Sequence, residues 1–265
     1  MRWLARTAAR QFYKRIARRD HFMDLPTGER LWLPVQDHFA SEAYITDADV
    51  DWGSERVLFS LLDKTGVFLD IGAHIGYYSL YMRPRVAAVY AFEPDPRMRP
   101  YLEKNLTDKR DVHILRCAVG GAAGRAGFVL EGSAELSHLS NGPVTGKQEE
   151  IEVDVVTVDT FVRSRGVFVE AIKIDVQGFD AQVIAGALET LKSQQPVVLT
   201  EAKPDRVLFD LACQASYTVF AFVRDPRTRQ RAFARLTTRP HGGTKMLFLV
   251  PDRLLSRISP HVGAL

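Results

Sequence analysis

The residues with the clearest chemical content are Asp70, Gly72, His74, Gly76 and Glu93. Asp70-Ile71-Gly72-Ala73-His74-Ile75-Gly76 follows the apolar run Val67-Phe68-Leu69, and a later apolar run ends at Glu93. Glycines after a buried strand let the backbone come close to a ligand. The next helix offers unpaired N–H groups, and a carboxylate ending a second strand accepts hydrogen bonds from ribose hydroxyls. This is the pattern of an adenosine-type cofactor site. A dinucleotide requires GxGxxG, whose second glycine lets pyrophosphate approach, but here His74 occupies that place. Asp70, just before the turn, repels a pyrophosphate and suits a cation or an ammonium. The residues therefore favour S-adenosylmethionine, which carries a sulfonium and no phosphate.

A second group of acids can act on the bound molecule. Asp175 and Glu201 each close an apolar run, so both belong at the carboxyl edge of a sheet, where ligands bind in open α/β folds. Asp175 is read as facing donor or acceptor, with a salt-bridged core carboxylate as the alternative. Lys173, in an otherwise apolar run, is the partner such a carboxylate would need. Cys117, Ala118 and Val119 provide an apolar wall suited to adenine. Transfer of a methyl group to a hydroxyl needs a proton acceptor, because an alcohol is a weak acid. Asp175, Glu201 and His74 are the candidates, His74 being equally readable as a simple turn residue. His138, with Ser133, Ser137 and Ser140, can contact a hydroxylated acceptor or merely be solvated.

The elements that must position these groups alternate. Strands are expected over 66–71, 86–92, 112–118, 168–175 and 196–201, with helices over 75–82, 95–106 and 178–192 between them. Asp95 is the expected N-cap of the second helix, with Pro96 at its first position. Residues 120–147 read as an irregular insertion rich in Gly and Ser, flanked by hairpin arms at 127–130 and 151–157. A helix near 203–213 precedes strands near 217–223 and 245–250, separated by a polar Arg-rich loop over 224–241. Fully apolar strands in βαβα order predict a parallel sheet covered on both faces, with an antiparallel edge from the last pair. The expected division is an N-terminal basic helix and lead-in over 1–62, a cofactor-binding α/β domain over 63–252, and a tail over 253–265.

In their order along the chain, Asp70–Ser79, Ala91-Phe92-Glu93-Pro94, Ala118-Val119-Gly120, Lys173–Asp180 and Glu201 resemble the FkbM-type methyltransferases. The resemblance covers about residues 66–201. It implies a class I, Rossmann-like three-layer α/β sandwich whose seven-stranded sheet has the order 3-2-1-4-5-7-6 and an antiparallel last strand. It also implies S-adenosylmethionine as donor and a hydroxyl oxygen as the usual acceptor, on macrolides or on sugars of polysaccharides and glycolipids. His74 stands where Asn is more usual, and Gln177 and Asp180 stand where Glu is common. The cofactor-binding set is then Asp70, Gly72, His74, Gly76, Glu93, Cys117, Ala118 and Asp175, with no metal. The competing reading, a NAD-dependent oxidoreductase or epimerase, lacks a hydride-handling Tyr-x-x-x-Lys. A non-catalytic S-adenosylmethionine-binding protein is the third.

Composition is that of an ordinary globular chain: 265 residues, 46% apolar and 25% charged. The net charge of +3 is unevenly distributed, because Arg2, Arg6, Arg10, Lys14, Arg15, Arg18 and Arg19 precede the first acid, Asp20. The remainder is net acidic, so nucleic acid is not an expected partner. Cys117 and Cys213 have neither disulfide-scaffold nor metal-ligand spacing, and a cytoplasmic location is expected. Arg2, Arg6, Arg10, Lys14 and Arg18 recur every four residues and form one slanting basic stripe. Three readings stay open for 2–19: a helix packed through Trp3, Phe12 and Ile16, a helix lying on anionic lipid at the inner membrane face, or a targeting peptide.

Overall fold

The computed structural model describes residues 2–140 and 149–263. The chain opens with α1 (Arg2–Phe12), which runs on as a π-helical turn, Tyr13–Ala17. A hairpin of β1 (His21–Asp24) and β2 (Arg30–Leu33) leads to α2 (His38–Ile45) and α3 (Ser54–Leu61). Alternation then begins: β3 (Val67–Ile71), α4 (Tyr77–Met82), β4 (Ala88–Phe92), α5 (Arg99–Leu106) and β5 (Val112–Leu115). Next come the short strands β6 (Ala118–Val119), β7 (Gly124–Leu130), β8 (His138–Leu139) and β9 (Glu149–Val156). The second half holds α6 (Val158–Arg165), β10 (Val169–Ile174), α7 (Asp180–Ala185), α8 (Leu188–Gln194) and β11 (Val197–Thr200). It closes with α9 (Arg206–Gln214), β12 (Tyr217–Arg224), β13 (Arg231–Leu236), β14 (Leu247–Pro251) and α10 (Leu255–Ile258).

The main sheet has the order β13-β12-β14-β11-β10-β3-β4-β5. Strands β5, β4, β3, β10 and β11 run parallel, and β14 lies antiparallel between β11 and β12. This is the expected seven-strand order with its antiparallel last strand, extended by an eighth. Every residue of β3, β10 and β11 is buried, because helices cover both faces. Alternation along β3 sends Phe68 into one core layer and Val67, Leu69 and Ile71 into the other. The first layer also takes Leu31, Leu33, Ala40, Leu58 and Leu61, so the N-terminal segment packs into the same core.

Four local expectations change. The Arg-rich stretch 224–241 is not only loop: β13 pairs antiparallel with β12, burying Phe233 and Leu236 while its arginines stay at the surface. Those arginines mask the period of the apolar positions. The strand expected over 112–118 splits, β5 staying in the main sheet while β6 joins a separate sheet of order β6-β9-β7-β8. The insertion is therefore built on paired strands; its residues 141–147 lie outside the described residues. The helix expected over 178–192 is two helices that meet near Gly186, where a side chain would stand 2.5 Å from the Gly120 carbonyl. The second helix starts at Arg99 and not at Asp95, which instead accepts hydrogen bonds from the Arg97 backbone and guanidinium.

The N-terminal helix packs on the body, but the reverse of the reading in which Trp3, Phe12 and Ile16 make the contact. Arg6 and Arg10 of the basic stripe face the body, whereas Trp3, Phe12 and Ile16 are exposed. Arg10 is completely buried, and its guanidinium donates to the Pro34 carbonyl (2.6 Å) and Ser41 Oγ (3.1 Å) and contacts His21 Nδ1 (3.1 Å). Burying a guanidinium is tolerable only because these acceptors converge on it from three separate segments.

Candidate active site

A cavity of about 450 Å³ opens at the carboxyl ends of β3, β4, β10 and β11. Ile71, Phe92, Asp175 and Glu201 mark the four strand ends on its wall. The turn after β3 is tied to β4 by the N–H groups of Gly72 and Ala73, which donate to the Phe92 carbonyl at 3.0 and 2.9 Å. Gly72 has φ +76°, and a Cβ there would stand 2.0 Å from the Asp175 carbonyl oxygen. Its glycine is thus demanded by the backbone of β10 as well as by the turn. Gly76 also takes a positive φ, but its added Cβ would meet Leu102 and Leu106, away from the cavity.

Glu93 stands at the end of β4. Its Oε2 accepts the His74 N–H and its Oε1 accepts the Asp95 N–H, both at 2.8 Å. Two fixed backbone donors hold this carboxylate, and each oxygen keeps a further lone pair toward the cavity. Burial raises its pKa, against those hydrogen bonds and the nearby His74. Cys117, Ala118 and Val119 follow along the same wall, with Phe128 and Leu139 from the small sheet. Burial pushes the Cys117 thiol up to about 11, so it is an apolar wall and not a nucleophile. His138 and Ser137 reach the cavity; Ser133 and Ser140 are not among its lining residues. Ser137 is also engaged by Arg97 and by the Glu131 N–H.

The opposite wall includes a buried cation. Lys173 Nζ donates to the Gly72 carbonyl at 2.6 Å and sits 3.3 Å from Asp175 and 3.7 Å from Asp70. Asp70 is fully buried, accepts a 2.6 Å hydrogen bond from Ser79, and is not part of the cavity wall. Sequence reasoning placed Asp70 against the ligand; the fold places it under the floor, where it meets Lys173. Burial opposes the charge on Asp175, but Lys173 and the hydrogen bond from Glu201 outweigh it and hold the carboxyl below its ordinary value. Glu201 moves the other way, to about 8, through desolvation and then the adjacent Asp175 charge. Within the pair the proton is favoured on Glu201 and the charge on Asp175. Gln177 donates to Glu201 at 3.3 Å.

The third wall comes from the N-terminal segment, which sequence reasoning treated as a lead-in. His38, Phe39, Glu42, Val50 and Asp51 line it, together with Tyr78, Lys245 and Met246. Tyr78 donates to Asp51 at 2.6 Å. Burial, countered by Tyr78 and Lys245, leaves the Asp51 carboxyl raised to about 6. Lys245 ties the wall together by donating to Glu42 and to the Val50 carbonyl. His74 takes a left-handed φ of 52° and sets its Nε2 3.3 Å from Asp37 Oδ2, with Phe39 edge-on to the ring. Asp37 also caps α2 through the Ala40 N–H. That cap is visible in Asp37-His38-Phe39-Ala40; its second role is not.

A family model described as the methyltransferase FkbM domain matches residues 70–225, more than half of the chain. The chain belongs to the FkbM methyltransferase family. Among curated relatives of this family member, the 2-O-methyltransferase NoeI of Sinorhizobium fredii (strain NBRC 101917 / NGR234) is 31% identical over 155 residues. That match spans 51% of this chain and 63% of NoeI. Among solved structures, methyltransferase FkbM from Methylobacillus flagellatus KT is 16% identical with a TM-score of 0.44, covering 72% of this chain and 47% of that one. The M. jannaschii tRNA m1G37 methyltransferase is 14% identical with a TM-score of 0.44, covering 88% and 57%. Asp37, Asp51 and Lys245 lie outside the matched region, whereas Tyr78 of the same wall lies within it.

Proposed function

We propose that this chain transfers a methyl group from S-adenosylmethionine to a hydroxyl on a sugar, glycolipid or secondary-metabolite acceptor. The observation that carries the reading is the single cavity in which Glu93, fixed by two backbone N–H groups, faces the Asp175–Glu201 pair. The residues fit the donor by their chemistry. The Glu93 carboxylate suits a ribose diol, Cys117, Ala118 and Val119 suit an adenine face, and Gly72, His74 and Asp175 border the space for a cationic tail. S-adenosylmethionine, when bound, supplies a methyl group already activated by its sulfonium.

The chain itself must position a hydroxyl and accept its proton. Orientation alone can contribute on the order of 7–11 kcal/mol to such a step. A placed base adds typically about 10²–10⁴-fold. Asp175 is the proposed acceptor of the proton at neutral pH, since Lys173 keeps it ionised while the proton of the pair is favoured on Glu201. Glu201 hydrogen-bonds and orients Asp175. His74, oriented by Asp37, is the alternative base. The acceptor belongs against Asp51, Glu42 and Lys245, where the two carboxyl groups accept hydrogen bonds from hydroxyls and the ammonium donates. With two acids against one ammonium this wall offers phosphates no net positive charge, which favours a glycan or other small acceptor over nucleic acid. Both cysteines are free thiols, which suits the cytoplasm. No described helix is long and apolar enough to cross a membrane.

Labelled S-adenosylmethionine offered with a panel of hydroxylated sugars and glycolipids tests the reading, alongside calorimetry of donor binding. Asp175→Asn is expected to lower turnover by about 10²-fold or more while donor affinity falls by less. Unchanged turnover removes Asp175 from the chemistry, and absence of donor binding to the wild-type chain overturns the whole reading.

A further inference from the structure

The reaction leaves one conspicuous feature of the chain unused, the outer face of α1. Leu4, Phe12 and Ile16 are 65%, 49% and 72% exposed. Isolated exposed apolar residues need no explanation, but three on one side of a short helix and its continuing turn form a patch. Ala5 and Ala8 fill the surface between them and are exposed as well. Arg15, Arg18 and Arg19 are exposed at its C-terminal end, and residues 2–19 contain no acid.

The helix cannot simply roll over to hide this face. Arg10 is locked into the body by Pro34, Ser41 and His21, and Arg6 by the Tyr44 carbonyl and Asp47. Turning the apolar side inward would pull a fully buried guanidinium away from all its acceptors. The orientation is therefore specified, at the cost of leaving hydrophobic surface in water.

We propose that the outer face of α1 docks on a lipid bilayer bearing anionic headgroups. Leu4, Phe12 and Ile16 enter the acyl boundary, while Arg15, Arg18 and Arg19 meet the headgroups. Charge decides the occupant. A second copy of this chain paired through the same patch would set these arginines against a segment that contains no acid. An anionic membrane complements them instead. The net acidic remainder of the chain is repelled by such a surface, so contact is confined to this segment and its orientation is set. Helix α2 is the intermediary: its Ser41 and Tyr44 hold the arginines of α1, and its His38, Phe39 and Glu42 line the cavity. The bilayer would thus lie one helix away from the wall assigned above to the acceptor. The proposal does not depend on methyl transfer, and neither does its test.

The full chain is to be sedimented with phosphatidylcholine vesicles, with and without phosphatidylserine. Binding to the phosphatidylserine vesicles, weakened by added salt, is expected. Leu4→Glu with Ile16→Glu should lower the partition coefficient by at least about tenfold. Arg15→Gln, Arg18→Gln and Arg19→Gln together should abolish the preference for phosphatidylserine. All these residues are exposed, so each variant should keep the wild-type melting temperature and show that the fold is intact. The proposal is overturned if the wild-type chain does not sediment with phosphatidylserine vesicles or if the glutamate variant binds equally well. It is also overturned if the patch instead mediates a wild-type dimer that the glutamate variant dissociates.

Discussion

Replacing Lys173 with Met tests the electrostatic frame under the cavity. The ammonium is 3% exposed as a residue and serves three oxygens at once: the Gly72 carbonyl at 2.6 Å, Asp175 at 3.3 Å and Asp70 at 3.7 Å. Methionine keeps the length and apolar stem but removes every donor. Removing one partner of a buried ion pair typically costs about 3–5 kcal/mol, because the other charge is left uncompensated. Part of that cost is avoidable here. Burial already raises the Asp70 pKa against the pull of Lys173 and Ser79, so without Lys173 the carboxyl takes up a proton more readily. The expected loss at neutral pH is therefore about 3 kcal/mol, at the low end of the range. The sign of its pH dependence follows from the same shift. An acid with a raised folded pKa loses stability as pH rises from its unfolded value toward the folded one. Lys173→Met should accordingly be least destabilised in acid and progressively worse toward neutral pH. Urea unfolding across that range gives the measurement, and the double variant Asp70→Asn with Lys173→Met isolates the pair. It should recover at least about 1 kcal/mol relative to Lys173→Met alone. A loss below about 1 kcal/mol for Lys173→Met, or no recovery in the double variant, would refute the frame.

Glu93→Ala should weaken S-adenosylmethionine binding by about tenfold or more, since two or more hydrogen bonds to a charged group disappear. Calorimetry giving equal affinities for variant and wild type would remove the ribose role. Glu55 is fully buried, accepting from Tyr77 and the Asp51 N–H, and burial followed by the Asp51 charge lifts its carboxyl to about 8. Its folded pKa lies above the unfolded value, so wild-type stability should fall as pH rises from about 4.3 toward about 8 through this group. Glu55→Gln should flatten that fall in thermal melts. An unchanged pH slope would show that Glu55 does not titrate in the folded chain.

Much of the cavity's edge was legible because its signals are local. Strands β3 and β4 declare themselves as apolar runs, and the turn residues Gly72 and His74 and the terminal Glu93 follow them directly. The same holds for Lys173-Ile174-Asp175 and for Glu201, whose places at strand ends follow from where an apolar run stops. A strand's end and a turn's first residue are neighbours along the chain, so type and spacing suffice to predict that they sit at one sheet edge.

Tertiary structure decided what depends on residues far apart in sequence. Asp70 and Asp175 occupy similar positions at the ends of buried strands, yet one lies under the floor and the other on the wall. Lys173 contacts both, and only strand packing tells which carboxylate keeps access to the cavity. Asp37, Asp51 and Lys245 carry no local mark of function. They join the site because the N-terminal segment folds back over the strand ends and the last strands close the other side. The clearest case is α1. An amphipathic pattern states that a helix has two faces but not which one turns inward. Pro34, Ser41 and His21 together give a buried guanidinium enough partners to make the polar side the inner one. The chain's own spacing therefore determined the sheet and the residues at the cavity end of its strands. Long-range contacts chose the third wall of the cavity and the face the N-terminal helix presents to its surroundings.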